Sequence, residues 1–272
     1  MKTIKPKNRV IALFIFLLFS IQLFSQESQE PSSADALAQK LQNPVSDLIS
    51  VPFQGNFDFG VGPNDGTRIT TNIQPVIPLS ISEDWNLIAR VILPVVYQND
   101  VYGDSGNQFG LGDIVASGFF SPKEPSSGGI IWGVGPVLLI PTGTDQLLSS
   151  KKFGLGPTAV ILKQAGSITV GALANHIWSV AGDSDRTDVN ATFLQPFVAK
   201  NFDGGYALAL NTELTQNWES DSTIGFFHLV GSKIVPIGSQ LTQVFIGPRI
   251  PYGGGNTTDW GFRAGITLLF PK

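Results

Sequence analysis

Cysteine is absent from this 272-residue sequence, and charge is scarce. Without cysteine the chain forms no disulfide and offers no thiolate to a metal ion. Charged residues make up 14% of the chain, whereas soluble domains carry roughly 25%. Acidic residues outnumber basic ones by 21 to 17, so the clustered positive charge that nucleic-acid binding requires is missing. The composition therefore excludes a nucleic-acid partner and is unusual for a soluble protein.

Long apolar runs are missing too, except at the N-terminus. Residues 10–24 are apolar, follow a basic stretch and precede the small residue Ser25. This is the pattern of a secretory signal peptide, and it predicts cleavage after residue 25. The alternative is a retained anchor, but the run is shorter than the ~20 residues that a spanning helix needs. We therefore predict a signal peptide over residues 1–25 and export from the cytoplasm.

Residues 206–218 separate into two faces by strict alternation. One face carries Tyr206, Leu208, Leu210, Thr212, Leu214, Gln216 and Trp218, and is mainly apolar. The other face carries Ala207, Ala209, Asn211, Glu213, Thr215 and Asn217. The apolar face begins and ends with an aromatic residue, and a tilted strand of this length spans about 30 Å. Residues 85–97 repeat the design between Trp85 and Tyr97. Both segments predict strands that cross a bilayer.

About twelve such segments follow one another, each bounded by turn residues. They cover roughly residues 50–62, 68–81, 84–98, 108–121, 129–141, 152–164, 167–180, 188–202, 205–219, 223–237, 240–250 and 259–270. Long polar connections alternate with mostly tight turns, as in outer-membrane barrels. The fold prediction is all-β: a transmembrane, antiparallel, up-and-down β-barrel over residues 50–272, in the outer membrane of a Gram-negative bacterium.

A short helix precedes the barrel. Ala34, Leu37, Ala38 and Leu41 recur at helical spacing, and Asn43-Pro44 ends the pattern. The sequence therefore predicts a helical segment within residues 26–49. Three positions stay open for it: in the periplasm, which we favour, against the membrane surface, or inside the barrel as a plug.

The inward-facing polar residues are the candidate functional surface. The lumen-lining candidates are Asn56, Asp58, Arg68, Asn72, Gln74, Arg90, Asp113, Asn211, Glu213 and Arg263. The candidate aromatic girdle at the two membrane interfaces is Trp85, Tyr97, Tyr206, Trp218 and Trp260. Acids and arginines occur together in the first set. They either pair and close the lumen or line a narrow, selective path.

No catalytic residue, metal site or cofactor is predicted. An outer-membrane phospholipase with twelve strands places its serine two residues after its histidine, but Trp178 and Val230 stand at those positions here. The acidic loop 183–188 fails the EF-hand pattern, because Asp188 occupies the glycine position. We interpret this loop as a solvated outer loop that divalent ions can bridge to lipopolysaccharide.

Prolines occur inside the predicted strands. Examples are Pro75, Pro94, Pro136, Pro157, Pro196 and Pro248, and several follow glycine. Proline cannot donate to a ladder, so in a closed barrel it marks a bulge or kink. Two interpretations remain: the bulges shape a small barrel, or the kinked strands open a gap for sideways exit of an apolar solute.

Several phrases of the sequence resemble a known family. They include QNPVSDLISVPFQGNFDFGVGPNDGT (42–67), NIQPVIPLSISEDWNLIARVILPV (72–95), WGVGPVLLIPTGTD (132–145) and the final LLFPK. These resemble outer-membrane transporters of the "MetA-pathway of phenol degradation" type, some of which carry the label neuromedin U. The resemblance implies an outer-membrane barrel that takes up small aromatic or hydrophobic compounds.

We therefore expect a channel or transporter for passive uptake of a small, hydrophobic or aromatic solute, and not an enzyme. The alternative is a closed structural or adhesion barrel that acts through its extracellular loops. The expected partners are outer-membrane lipids, lipopolysaccharide, the barrel-assembly machinery and the small-molecule solute.

Overall fold

The computed structural model describes residues 33–271; the predicted signal peptide lies outside them. The chain begins with one helix, α1 (Ser33–Leu41), and continues as strand segments. The strands are β1 (Ile49–Val61), β2 (Gly66–Ile73), β3 (Val76–Ser80), β4 (Trp85–Asn99), β5 (Asn107–Leu111), β6 (Ile114–Pro122), β7 (Ile130–Ile140), β8 (Lys152–Ala165), β9 (Ile168–Gly182), β10 (Asn190–Phe202), β11 (Tyr206–Asn217), β12 (Ser222–Ile237), β13 (Gln240–Tyr252) and β14 (Trp260–Phe270).

The strands form a closed antiparallel barrel, which confirms the predicted fold. Strand β14 pairs with β1 over its whole length, from Ile49 opposite Phe270 to Phe59 opposite Trp260. The fourteen segments make twelve barrel strands, because two of these strands are each broken into two segments. One broken strand consists of β2 and β3, which both pair with one side of β4. The other consists of β5 and β6, which both pair with the opposite side of β4. Closure leaves no free sheet edge, so the backbone groups are satisfied without water.

Alternation along the strands gives the barrel an apolar outside and a mixed inside. In β8, Ile161 is 53% exposed whereas its neighbour Leu162 is 2% exposed. The same alternation leaves large apolar side chains exposed around the barrel, while glutamine, threonine, arginine and histidine side chains are buried. An apolar outer surface on a closed barrel suits a lipid environment. No helix in residues 33–271 is both long and apolar enough to cross a membrane.

The aromatic girdle candidates lie at the ends of their strands and face outward. Trp85 and Tyr206 begin β4 and β11 at the end of the barrel that carries the tight turns. Tyr97, Trp218 and Trp260 lie near the opposite end, and all five side chains are exposed. Trp260 also stacks on Phe59 of β1, with ring centroids 4.5 Å apart.

Helix α1 packs onto inward-facing residues of the barrel. Leu37 and Ala38 are buried in a cluster with Leu48, Ile234 of β12 and Leu269 of β14. The helix forms readily, since it is rich in alanine, with an acid in its first turn and a base in its last. Its apolar stripe is the one that the sequence predicts, and the stripe is covered by the barrel.

Hydrogen bonds fix α1 to two tight turns. The Gly205 N–H, in the β10–β11 turn, donates to Asp35 Oδ1 at 2.6 Å. In the β8–β9 hairpin, Gln164 donates to the Gln39 carbonyl at 3.0 Å, and Gln39 donates to the Gly166 carbonyl at 3.3 Å. The chain then continues inward, because Val45 is buried against Ile88, Phe119 and their neighbours on the inner wall. Residues 34–48 thus occupy the mouth of the barrel at the tight-turn end.

The glycine–proline pairs mark close approaches between strands. A Cβ on Gly135, Gly156 or Gly247 would collide with a backbone carbonyl oxygen of the adjacent strand. At each of these points the regular pairing with one neighbouring strand is interrupted. Each pair is therefore a local irregularity of the ladder that only glycine can occupy.

Candidate functional site in the barrel interior

An ion pair lies on the inner wall of the barrel. Arg263 of β14 donates to both carboxylate oxygens of Glu213 on β11, through Nη1 at 2.9 Å and Nη2 at 2.8 Å. The same guanidinium donates through Nε to Asn56 Oδ1 on β1 at 2.8 Å. Bidentate geometry makes this a strong, orientation-specific contact. It joins strands that are not neighbours, so the side chains reach across the curved wall.

A second pair lies beside the first. Arg249 of β13 donates through Nε to Asp58 Oδ1 on β1 at 2.8 Å, and its Nη1 lies 2.9 Å from His228 Nε2. The other ring nitrogen of His228 lies 3.0 Å from Asn211 Oδ1. The guanidinium carbon of Arg249 stands 3.2 Å from the centroid of the Phe226 ring. Arg249 Nη1 also lies 3.8 Å from Glu213 Oε2, which couples the two pairs into one network.

The network lies on one half of the inner wall, and an apolar cluster lies on the other half among separate polar groups such as Gln98 and Gln108. Strands β10 to β14 and β1 supply the polar side, including Gln195, which donates to Glu213 at 3.2 Å. The facing strands bring together the buried side chains Ile88, Phe119, Val160, Leu162 and Leu173. This cluster packs against Val45 of the N-terminal segment, so the apolar side chains are covered within the barrel.

An internal chamber lies between the N-terminal segment and the network. Its volume is about 280 Å³. Lys40, Leu41 and Leu48 of the N-terminal segment contribute to its lining, and Arg263 and Asn211 of the network contribute from the barrel. The interior is therefore not filled completely.

The structure distributes the ten lumen candidates over several places. The five that it brings into the network are Asn56, Asp58, Asn211, Glu213 and Arg263. Two others, Gln74 and Arg90, line the chamber. Arg90 Nη2 donates to Gln74 Oε1 at 2.8 Å. Arg68 lies nearer the outer loops and donates to Gln98 and Tyr102. Asn72 is half-buried on β2, opposite Gln54.

Asp113 has a different role from the other candidates. Its carboxylate accepts from the Gly143 N–H, from Ser149 Oγ, and from both the N–H and the Oγ of Ser150, at 2.6–3.0 Å. The residue stands at the break between β5 and β6. It therefore ties the outer loop 143–150 to the barrel wall instead of joining the network.

Two members of the network, Arg249 and His228, are not among the ten sequence candidates. A signal for Arg249 existed, because the exposed Ile246 and Ile250 flank it with outward parity. His228 lies between the exposed Phe227 and Leu229, but apolar inner neighbours blur the alternation of β12. The sequence of these strands thus indicates which side of the barrel wall each residue faces, but it does not indicate the hydrogen-bonding partner of each side chain.

The other histidine, His176, lies on the outer surface of the barrel. Its Nδ1 is 2.7 Å from Thr192 Oγ1, and Trp218 donates to the same hydroxyl at 2.8 Å. Ser179 instead donates to Asp188 at 3.0 Å. The structure therefore gives His176 and Ser179 different partners.

Lys152 and Ser179 connect the acidic outer loop 183–188 to the barrel. Lys152 Nζ, from a nearly buried side chain, lies 2.8 Å from Asp188 Oδ1. The hydrogen bond and charge of Lys152, with help from Ser179, hold the pKa of Asp188 below its ordinary value of 3.8. Within residues 33–271, no group of three histidine or acidic side chains could hold a metal ion.

Comparison with solved structures agrees with this architecture. The fold is that of an outer-membrane β-barrel. The chain is similar to the COG4313 outer membrane channel from Pseudomonas putida F1, with a TM-score of 0.64 and 16% identity, over 89% of this chain and 100% of that one. At this identity the likeness shows the fold alone. No protein-family model and no curated protein matches the sequence, so the MetA-pathway resemblance stays a prediction.

Two further structures are more distant. The β-domain of the Bordetella autotransporter BrkA has a TM-score of 0.46 at 13% identity and covers 83% of this chain and 100% of its own. The outer membrane phospholipase of Salmonella typhi has a TM-score of 0.46 at 10% identity and covers 90% of this chain and 99% of its own. Likeness at this level bears on neither activity nor substrate.

Proposed function

We propose that this protein is an outer-membrane channel for passive uptake of small hydrophobic or aromatic solutes. The observation that carries the proposal is the chamber of about 280 Å³ inside a closed barrel. A barrel that served only as a scaffold gains stability by filling such a space. The chamber lining combines amides such as Gln195 and Asn211 with the apolar Val230 and Phe245, which suits a solute with a ring or short chain and a polar end.

The N-terminal segment is the proposed inner gate. Residues 34–48 block the mouth at the tight-turn end, which in an outer-membrane barrel faces the periplasm. Only one helix of nine residues and a short loop have to move to open this mouth. The network of Arg249, Asp58, Glu213 and Arg263 forms the proposed constriction beyond the chamber.

The two breaks beside β4 are the proposed place for sideways exit. Residues 74–75 lie opposite 91–92 on one side of β4, and residues 112–113 lie opposite 93–94 on the other side. The backbone is bonded there, since Gly112 N–H donates to the Pro94 carbonyl at 2.9 Å and Val91 N–H to the Pro75 carbonyl at 3.1 Å. Short, interrupted ladders separate at lower cost than continuous ones, so an apolar solute would leave the wall at this point.

Lipids and assembly factors are the proposed partners. The outer aromatic ends at Tyr97, Trp218 and Trp260 suit the lipopolysaccharide interface, and Trp85 and Tyr206 suit the phospholipid interface. Strand β14, which ends in Phe270, is the proposed contact of the barrel-assembly machinery.

Single-channel conductance in a planar bilayer tests the channel and its gate together. We would compare the protein that begins at Gln26 with a form that lacks residues 26–48, because Ile49 already pairs with Phe270. Steady openings in the shortened form, with rare openings in the longer one, are expected. Silence of both forms over a broad range of voltages and salts would contradict the channel.

One observation favours the alternative of a closed structural or adhesion barrel. The network spans the strands from β10 to β1 and, together with the apolar cluster, occupies much of the interior. If this alternative holds, removal of loops 99–107 and 181–187 abolishes surface binding while permeability stays unchanged. If the channel holds, the loop deletions alter conductance.

A further inference from the structure

One cation in the chamber lacks an acidic partner. Three cationic side chains line the chamber: Lys40, Arg90 and Arg263. Lys40 Nζ lies 2.9 Å from Asp47, and Arg263 forms its bidentate pair with Glu213. Both of these charges are therefore balanced within the protein. Arg90 forms no such pair: the charge of Glu213 acts on it from beyond ion-pair distance, and that carboxylate is already bonded to Arg263.

The guanidinium of Arg90 faces the chamber with a single neutral partner, Gln74. Within residues 33–271, no carboxylate oxygen lies within 4.0 Å of it. A guanidinium has five N–H donors, and only Nη2 of Arg90 is used in this bond. Charges removed from water are normally paired, because an isolated charge is costly. The remaining donors thus point to an anion that comes from outside the chain.

The rest of the lining defines the kind of anion. None of the described residues that line the chamber is acidic, and its amides include Gln74, Gln195 and Asn211. Val76, Val230 and Phe245 add apolar surface. A volume of about 280 Å³ is at the small end for ligand pockets, which span roughly 300–1,000 Å³.

We propose that the chamber binds a small organic carboxylate, such as a one-ring acid, with Arg90 as its anchor. One uncompensated positive charge matches a monoanion, whereas a phosphate dianion would leave a net negative charge inside the wall. The planar fork of arginine matches the geometry of a carboxylate, and Phe245 and Val230 offer surface for the ring. This inference rests on the proposed function and names the charge class of its solute.

Isothermal titration calorimetry on the protein purified from outer membranes tests the site. Benzoate, benzamide and benzamidinium have the same ring and carry a negative, zero and positive charge. We expect benzoate to bind at least tenfold more tightly than benzamide, with benzamidinium weakest, because a charge-assisted bond is worth about that factor. This comparison needs no mutation and so does not depend on the folding of a variant.

The variant Arg90→Gln tests the anchor. We expect Arg90→Gln to weaken the binding of benzoate about tenfold or more and to leave the binding of benzamide unchanged. Arg90→Lys keeps the charge but lacks the planar guanidinium, so its affinity for benzoate should be intermediate. Lys163→Gln is the matched control, since Lys163 is an exposed side chain on the outer face of β8. It removes the same charge and should not affect benzoate.

Two results overturn the proposal: equal affinity of wild type for benzoate and benzamide, or equal weakening of both ligands by Arg90→Gln. Conductance separates this failure from failure of the channel. Steady openings without selective benzoate binding would contradict the proposed site and support the channel. Selective benzoate binding without conductance would support the proposed site and contradict the channel.

Discussion

Arg249 Nε lies 2.8 Å from Asp58 Oδ1, although 191 positions separate the two residues in the sequence. Arg249 is on β13 and Asp58 is on β1, so the pair reaches past β14. Both side chains are nearly inaccessible to solvent. The contact joins the last part of the barrel to the first, on the inner side of the seam that closes it.

Asp58→Asn should destabilise the barrel by about 3 to 5 kcal/mol, because it leaves the Arg249 charge buried with a weaker partner. Urea unfolding in lipid vesicles, followed by tryptophan fluorescence, measures the change. Asp84→Asn, in an exposed tight turn, is the matched control and should have little effect. A double variant with Arg249→Gln should recover part of the loss. Equal stability of Asp58→Asn and Asp84→Asn would show that the pair contributes nothing.

The strands could be predicted closely because one face of each meets lipid. The predicted strand 205–219 corresponds to β11, Tyr206–Asn217, and the helical segment predicted within residues 26–49 contains α1, Ser33–Leu41. The breaks within 68–81 and 108–121 could not be placed, since alternation of side chains continues across a kink. Pro75 was a signal for the first break, and the second, at 112–113, lies opposite Pro94 of the adjacent strand.

The partners inside the barrel could not be predicted. Alternation shows that Asp58 and Glu213 face inward, but pairing depends on the stagger between strands, which a single sequence does not contain. The position of α1 was also left open: its apolar stripe requires a cover, and lipid or the inner wall satisfies that requirement equally well. The contacts of Leu37 and Ala38 with Ile234 and Leu269 show that the inner wall supplies this cover.

Gly156→Ala should destabilise the barrel by about 1 to 3 kcal/mol, as overpacking of a tight contact does. The added Cβ would collide with the His176 carbonyl oxygen on β9, and a backbone atom cannot move aside as a flexible side chain can. Gly254→Ala is the control, since a Cβ there meets nothing within 4 Å. The same urea titration measures both. Identical midpoints for the two variants would mean that the glycine–proline pairs are not constrained by packing.

Acid titration should show the effect of the Lys152–Asp188 ion pair on the pKa of Asp188. Because Lys152 lowers the pKa of Asp188, this contact stabilises the outer loop fully above the ordinary value of 3.8, and the contribution is lost as the pH falls through the lowered pKa. NMR of the Asp188 carboxyl carbon measures the midpoint directly. Lys152→Met should raise it towards 3.8, whereas Lys151→Met should not. An unchanged midpoint in Lys152→Met would exclude Lys152 as the cause.

Ion selectivity should respond to Glu213. Glu213→Gln removes the carboxylate that balances Arg263, so the interior becomes more positive by one charge. The permeability ratio of chloride to potassium should rise several-fold, roughly as expected for one charge in a confined path. Reversal potentials in a KCl gradient measure it. Glu219→Gln, in an exposed outer loop, loses the same charge outside the path. If both variants shift the potential equally, the ions do not pass Glu213.

The strongest test of the inner gate is a pair of variants within α1. Leu37 is buried against Leu48, Ile234 and Leu269, whereas its neighbour Ala36 is exposed. Leu37→Asp removes a core side chain, a loss of about 2 to 5 kcal/mol, and places a carboxylate in an apolar cluster, so the helix should leave the barrel. Channel openings should then become frequent, as in the form that lacks residues 26–48. Ala36→Asp adds the same charge on the exposed side of α1 and should leave openings rare. Because the closed strand ladder does not include α1, electrophoretic mobility without heating should show a folded barrel in both variants. A folded Leu37→Asp barrel that conducts no more than Ala36→Asp would mean that the helix does not control the passage.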